Sequence, residues 1–236
     1  MVGVSCSQYR KDGALAEFVA VPAHVLYALP ESISYVQAAM AEPIAVALHA
    51  VGRTPIRLND SAVVVGSGLI GLLIIQALRA AGCGLIVAVD LDPARLETAC
   101  RLGADVGLRP GQTDIASALQ RMTVGRGADL AFEAVGVSET LQIATLSLRK
   151  GGTLVLVGNT APKTEFLLQD VVMRELTLNG SCASRGEYAT GLNMLARGTL
   201  NVDSLISVVA PLSEGVDWFH RLHEGQSGLI KVVLEP

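Results

Sequence analysis

A short stretch of the sequence carries the spacing G-x-G-x-x-G, and it consists of Gly66, Ser67, Gly68, Leu69, Ile70 and Gly71. In such a pattern the first glycine permits a tight turn, and the second lets the backbone approach a pyrophosphate. The third allows a helix to pack closely on a strand. The first turn of that helix offers free N–H groups and a positive dipole end to phosphates. The pattern predicts dinucleotide binding, and the alternative is a glycine turn without a ligand.

Asp90 lies about twenty residues beyond this turn, at the end of the next predicted strand. A carboxylate there accepts hydrogen bonds from the hydroxyls of an adenosine ribose and repels a 2′-phosphate. We therefore expect NAD to be preferred over NADP. Arg95 is close enough in sequence to reach either the ribose or a phosphate. The alternative is that Asp90 only caps the helix that follows it.

Two later predicted strands end in small or polar residues, where a dinucleotide would cross the sheet. These candidate cofactor-binding residues are Val135, Gly136, Val157, Gly158 and Asn159. Their alternative interpretation is that of ordinary turns at strand ends.

A parallel sheet is needed to bring these residues to one edge. Apolar runs predict strands at 61–65, 85–89, 130–134, 153–157 and 176–178. Between them lie predicted helices at 69–81, from Asp92 to Gly103, and from Ser138 to Lys150-Gly151-Gly152. Strands that alternate with helices indicate an α/β fold, a doubly wound parallel sheet of the Rossmann type.

The uncharged stretch 61–78 is long enough for a membrane span. It begins with β-branched residues and breaks at Gly66-Ser67-Gly68, so a strand, a glycine turn and a buried helix account for it better. We expect no membrane association.

The segments that flank this sheet follow other patterns. Residues 14–30 alternate in polarity and carry two prolines, which predicts short strands of a different structure. The other predicted elements are a short helix opened by the Ser34-Tyr35-Val36-Gln37 capping box, a helix begun by Glu42-Pro43, a helix near 187–197 ended by Gly198, a helix capped by Ser213, and a strand at 229–234.

The composition narrows the classes of partner. The 236 residues are 50% hydrophobic with a formal net charge of −4, which excludes intrinsic disorder. The acidic balance leaves no basic face for a phosphate backbone, so nucleic acid is not expected as a partner. The four cysteines are far apart, and we expect them to be reduced and buried. Met1–Gly13 lacks a signal-peptide pattern, which together with the cysteines favours a cytoplasmic location.

Six stretches resemble the zinc-dependent medium-chain dehydrogenases, most closely the sorbitol and polyol branch. They read AEFVAVPAHVLYALP, SYVQAAMAEPIAVALHAV, VVVGSGLIGLLIIQ, DLDPARLETACRLGAD, ADLAFEAVG and LRKGGTLVLVG, in family order and spacing. The resemblance implies a Rossmann domain at 46–182, flanked at 1–45 and 183–236 by parts of a GroES-like, β-rich catalytic domain.

The resemblance also implies zinc as a cofactor, yet the family's Cys and His-Glu zinc motifs do not occur in this sequence. Only Glu42 matches a metal position, and its alternative is a first-turn acid favoured by the helix dipole. His49, His220 and His223 are expected to be packing or surface residues. We therefore expect an incomplete zinc site in this chain, with no complete set of catalytic residues.

The resemblance implies an NAD-dependent oxidoreductase that oxidises a secondary alcohol or polyol by zinc-assisted hydride transfer. The substrates left open are sugar alcohols, their phosphates, aminopolyols and threonine. One alternative is an NAD-binding subunit that is non-catalytic or completed by a partner. Another is a zinc-free quinone reductase, against which Glu42 argues. A homodimer or homotetramer is expected through an edge strand near 176–181.

Overall fold

The structure is a computed structural model, and it describes residues 15–236. Its α-helices are α1 Tyr35–Ala38, α2 Ala41–Gly52, α3 Leu69–Ala80, α4 Pro93–Arg101, α5 Ile115–Met122, α6 Ser138–Ser147, α7 Leu168–Met173, α8 Tyr188–Ala196 and α9 Gly215–His223. Its strands are β1 Ala62–Val65, β2 Ile86–Val89, β3 Val106–Leu108, β4 Ala128–Glu133, β5 Leu148–Leu156, β6 Thr177–Gly180, β7 Ile206–Pro211 and β8 Lys231–Glu235.

Six strands form one parallel sheet in the order β3-β2-β1-β4-β5-β6. The chain runs outward from β1 to β3, returns to the middle, and runs outward again from β4 to β6. The strand order therefore reverses between β1 and β4, and the crevice beyond the carboxyl ends of these two strands is where open α/β sheets bind ligands. The doubly wound Rossmann-type sheet predicted from the sequence is confirmed.

The sheet is covered on both faces, which is why β1 and β2 are apolar throughout. All four residues of β1 and all four of β2 are buried. Val63 and Val65 share a buried cluster with Leu119 of α5 and Leu141 of α6. Val64 points the other way, towards Gly71 of α3. Each fully buried valine of this kind contributes about 1.5–3 kcal/mol to folding.

Several predicted elements are confirmed with small shifts at their ends. The stretch 61–78 is β1, a glycine turn and α3, as expected. None of the helices described over residues 15–236 has the length and apolar composition needed to cross a bilayer. The Ser34 capping box is present at α1, with the Ser34 hydroxyl accepting from the Gln37 amide at 3.1 Å.

Other predictions are wrong, each for a local reason. Within the described part of 14–30 there is no strand, only a single 3-10 turn at Ala23–Val25. Pro22 and Pro30 lack the N–H donors that a strand would need there. Ser213 does not cap α9, because it lies inside a 3-10 turn and Glu214 precedes the helix.

The boundary between α6 and β5 also differs from the prediction. The helix ends at Ser147, and Lys150-Gly151-Gly152 belong to β5. The register of β5 against β4 is irregular here, and Gly151 has a φ of +68°, so the glycines bend a strand and do not end a helix.

The cysteines are not uniformly buried, contrary to expectation. Cys83 is buried, whereas Cys100 and Cys182 are exposed. On α4 the buried face consists of Leu96, Thr98 and Ala99, and Cys100 faces solvent. Cys6 and the segment Met1–Gly13 lie outside the described residues.

The chain divides into two compact units. One includes the described residues up to Ala39 together with Val202–Pro236, and it contains the parallel pair β7-β8. The other, Met40–Asn201, contains the six-stranded sheet. The second unit begins before residue 45 and ends after residue 182, so that it includes all of α2 and α8. The domain boundaries expected at 45 and 182 remain a prediction.

Candidate functional site

A cavity of about 690 Å³ lies in the second unit at the carboxyl ends of β1, β2 and β4. It is lined by Val65, Gly66, Val89, Asp90, Leu91, Asp92, Arg95, Pro110, Val135, Val137, Glu139, Thr140 and Ile143. Four of the residues predicted to bind cofactor, Gly66, Asp90, Arg95 and Val135, thus meet in one place. The lining also includes Glu139, Thr140 and Ile143 of α6. The sequence did not predict these three, because no binding motif lies in that helix.

The glycine turn has the geometry that its spacing predicts. Gly66 has a φ of +97°, and a Cβ there would lie 2.6 Å from Val135 Cγ2. A Cβ on Gly71 would overlap the Gly66 carbonyl oxygen, so the start of α3 is pressed against the turn. At Gly68, by contrast, nothing lies within 4 Å of the Cβ position. The turn is therefore closed on the protein side and open where a pyrophosphate would approach.

Asp90 joins the glycine turn to the end of β2. Its Oδ2 accepts a hydrogen bond from the Ser67 amide at 2.7 Å, and its Oδ1 accepts one from the Asp92 amide at 2.9 Å. The cap of α4 is Asp92, whose Oδ1 accepts from the Ala94 amide at 2.9 Å. Asp90 is thus not the helix cap, and it faces the cavity while holding the turn in place.

The start of α3 keeps hydrogen-bonding capacity for a ligand. The Ser67 hydroxyl is buried and has no hydrogen-bond partner in the described part of the chain. Leu69 and Ile70, in the first turn of α3, are partly exposed, and first-turn amides have no partner within a helix. Gly68 precedes the helix without a side-chain cap. An anion placed over this helix end would therefore meet unpaired donors and a positive dipole end.

The loops that follow β4 and β5 pack against each other more than they line the cavity. Gly136 has a φ of +90°, and a Cβ there would overlap the backbone of Gly158 and Asn159. The two loops therefore cross so closely that glycine is required at both Gly136 and Gly158. Of the five predicted strand-end residues only Val135 lines the cavity, and a cofactor contact by Gly136, Val157, Gly158 or Asn159 stays a prediction.

Glu133 is a positioning residue that the sequence analysis missed. It is 1% exposed at the end of β4, and its Oε1 accepts hydrogen bonds from the amides of Val135 at 2.9 Å and Gly136 at 2.8 Å. An acid that closes an otherwise apolar run was the available signal. Its carboxylate fixes the loop that carries Val135 into the cavity wall.

The described residues do not fit a zinc site. Glu42 is partly buried in the first turn of α2. Across residues 15–236 no group of three His, Cys, Asp or Glu side chains is placed to hold a metal ion. We therefore derive no chemical step through zinc, and a metal contact by Glu42 stays a prediction.

His49 is engaged in packing within the second unit. Its Nδ1 lies 2.8 Å from Oε1 of Glu187, which joins α2 to the start of α8. Burial acts to raise the pKa of Glu187, but the hydrogen bonds from His49 and from the Arg185 amide outweigh it and lower that pKa. Gly191 of α8 lets the two helices approach, because a Cβ there would lie 2.7 Å from Ile44 Cγ2.

Comparison with known proteins gives matches to one family. The profile described as zinc-binding dehydrogenase matches residues 70–197. The chain is 30% identical over 229 residues to sorbitol dehydrogenase of Bacillus subtilis (strain 168), which covers 95% of this chain and 64% of that protein. It is 36% identical over 219 residues to (R,R)-butanediol dehydrogenase of the same organism, covering 93% and 61%.

A solved structure agrees with the fold described above. A zinc-binding dehydrogenase candidate from Sinorhizobium meliloti 1021, bound to NADP, superposes with a TM-score of 0.89 at 29% identity. That match covers 96% of this chain and 67% of the other. The chain spans less than two thirds of the length of the two Bacillus relatives.

Proposed function

Since the chain belongs to the zinc-binding dehydrogenase family, we propose that its cavity holds the adenosine part of a nicotinamide dinucleotide. Asp90 would accept hydrogen bonds from the ribose hydroxyls, and the start of α3 would receive the pyrophosphate beyond Gly68. Val135, Val137 and Ile143 supply apolar side chains for the adenine ring. The observation that carries this proposal is the placement of Asp90 and the open Gly68 around one cavity.

The proposed reaction of the whole protein is oxidation of a secondary alcohol or polyol with NAD. When bound, the cofactor supplies a nicotinamide ring that accepts a hydride from the alcohol carbon. The contribution of this chain is to bind and orient the dinucleotide through the glycine turn, Asp90 and the Val135 loop. The sorbitol and butanediol dehydrogenases among its relatives support a vicinal diol or a polyol as the substrate class.

A second candidate function is a dinucleotide-binding subunit without turnover of its own. It is favoured by the arrangement of the metal-ligating side chains: within residues 15–236, no three of them lie close enough together to hold a metal ion. A catalytic zinc normally needs three protein ligands and an open position. In this case a partner would supply the remaining ligands, and the chain alone would bind cofactor without oxidising an alcohol.

An activity assay distinguishes the two candidates. The purified chain would be analysed for bound zinc and then assayed for NAD reduction with sorbitol, xylitol, butanediol and threonine, with and without added zinc. Chelator-sensitive turnover on the order of 1–1,000 s⁻¹ supports the dehydrogenase. Cofactor binding with no turnover and no stoichiometric zinc supports the subunit without activity.

We also propose self-association and a cytoplasmic location. Strand β6 is the last strand of the described sheet, and its outer side carries no further strand, although the Gly180 carbonyl accepts a hydrogen bond from Arg53 Nε at 3.0 Å. An edge strand of this kind can pair with a second copy across a two-fold axis. The exposed, unbridged Cys100 and Cys182 suit a reducing compartment. Sedimentation and fractionation test these two proposals.

A further inference from the structure

The charged residues of the cavity are unevenly distributed. Its lining contains three carboxylates, Asp90, Asp92 and Glu139, and one guanidinium, Arg95. Among the lining residues, Arg95 therefore carries the positive charge that could bind the 2′-phosphate of NADP. Whether this cation is available decides how strongly the site discriminates between the two cofactors.

Arg95 is held by Asp92. The Arg95 Nε lies 3.8 Å from Oδ2 of Asp92, one helical turn away on α4, and both side chains are 43% exposed. Asp92 Oδ1 is occupied by the Ala94 amide, so the carboxylate is anchored by one oxygen and faces Arg95 with the other. The pair draws the guanidinium towards the start of α4, with the modest strength of a partly solvated ion pair.

Asp90 is less suited to be an adjustable determinant. Both of its oxygens accept backbone amides, from Ser67 and from Asp92. Replacing it would release the glycine turn as well as the ribose, so any change in cofactor preference would be mixed with a change in the turn. Asp92 has no bond to the glycine turn through its side chain.

We infer that Asp92 is a specificity-determining residue of the cofactor site, because it holds Arg95 in an ion pair and denies that cation to a 2′-phosphate. The inference rests on the proposed function, since it concerns which dinucleotide the same cavity accepts. Asn at position 92 would preserve the helix cap, as Asn and Asp are equally good there. It would remove a negative charge and release Arg95 towards the ribose.

The test compares dissociation constants of NADH and NADPH by calorimetry on the 236-residue chain. Asp92→Asn is expected to tighten NADPH about tenfold relative to NADH. The matched control is Glu97→Gln, which removes a negative charge from the exposed side of α4, outside this cavity; it should leave the ratio of the two constants unchanged. Adding Arg95→Ala to Asp92→Asn should abolish the gain. Asp92→Ser, a second capping residue, repeats the test if Asn disturbs the fold.

The outcomes separate the inference from the proposed function. If the unmodified chain binds neither NADH nor NADPH, the proposed function and the inference both fail. If NADH binds but Asp92→Asn and Asp92→Ser leave the ratio of the constants unchanged, the inference alone is overturned. A gain that survives Arg95→Ala, or that Glu97→Gln reproduces, would show a general charge effect and would also overturn it.

Discussion

At the scale of single residues, the site depends on where a side chain is absent as much as on where one is present. Gly71 has no room for a Cβ because the Gly66 carbonyl lies against it, whereas Gly68 has nothing within 4 Å. The two glycines belong to one motif but have separable roles. One is required by the packing of α3 on the turn, and the other keeps space for a ligand.

This separation gives a matched pair of substitutions. Gly68→Ala should change the free energy of unfolding by less than about 1 kcal/mol, because the position is open and the backbone is extended. It should weaken NADH binding at least about tenfold by crowding the pyrophosphate. Gly71→Ala should cost about 3 kcal/mol or more through overlap with the turn. Urea unfolding and NADH titration measure both, and unchanged NADH affinity in Gly68→Ala would contradict the assignment.

The cysteines provide a second prediction at this scale. Burial, with a smaller contribution from Asp60, raises the pKa of the Cys83 thiol to about 11. Since the thiolate is the reactive form, Cys83 should resist iodoacetamide at pH 8 in the folded chain. Cys100 and Cys182 are exposed and should be alkylated. Peptide mass mapping before and after unfolding in urea checks this, and early labelling of Cys83 would show that its surroundings are described wrongly.

At the scale of elements, the sequence predicted the strands and helices whose signals are strong and missed those whose signals are short. β1 and β2 are continuous apolar runs covered on both faces, and α4 begins with the Asp92 cap and Pro93. The sequence therefore predicted these two strands and this helix. The three-residue strand β3 contains Gly107 and was not predicted. The helix α5 and strand β7 are short and were also missed.

The site follows the same division. Gly66 and Asp90 belong to a motif whose spacing is set by dinucleotide binding, and the structure brings both to one cavity. The α6 residues of the lining were missed because their role arises from the packing of α6 against the sheet, which no local pattern records. Glu133 was missed although its contacts are local, since it binds amides two and three residues ahead and the acid that closes an apolar run was its signal.

Asp129 joins the amino ends of β1 and β4, and its ionisation should make the stability of the fold depend on pH. Its Oδ2 accepts from the Ser61 amide at 2.9 Å and the Ser61 hydroxyl at 2.7 Å, and its Oδ1 lies 2.6 Å from Arg149 Nε. Burial acts to raise the pKa of Asp129, but the hydrogen bonds from Arg149 and Ser61 outweigh it and lower the pKa from 3.8 to about 2.

A carboxyl whose pKa is lowered by folding stabilises the fold above its unfolded pKa and loses that effect as the pH falls through the folded value. Asp129 should therefore contribute about 2 kcal/mol at pH 7, and this contribution should fade between pH 4 and pH 2. Asp129→Asn should lose it, while Asp217→Asn on the exposed side of α9 should change stability by less than about 0.5 kcal/mol. Urea unfolding at several pH values measures the difference, and an Asp129→Asn effect that does not depend on pH would contradict the ion-pair account.

At the scale of the whole molecule, β6 is the edge through which we propose that copies associate. Thr177 is exposed on β6, so Thr177→Lys should bring two added positive charges, one from each copy, to the shared edge and convert a dimer to a monomer. Thr199→Lys, at an exposed threonine outside the strands, is the matched control. Sedimentation velocity at micromolar concentration gives the result. An unmodified chain that is monomeric, or a dimer unaffected by Thr177→Lys, would exclude this edge.

The central claim is that one cavity at the reversal of strand order binds a nicotinamide dinucleotide and prefers the form without a 2′-phosphate. Calorimetric titration of the purified 236-residue chain with NADH and NADPH tests it most directly. The account predicts saturable binding of one NADH per chain and at least about tenfold weaker binding of NADPH, since the three carboxylates of the lining repel the added phosphate. Equal or tighter binding of NADPH would contradict the role given to the acidic lining, and absence of binding by both would contradict the site itself.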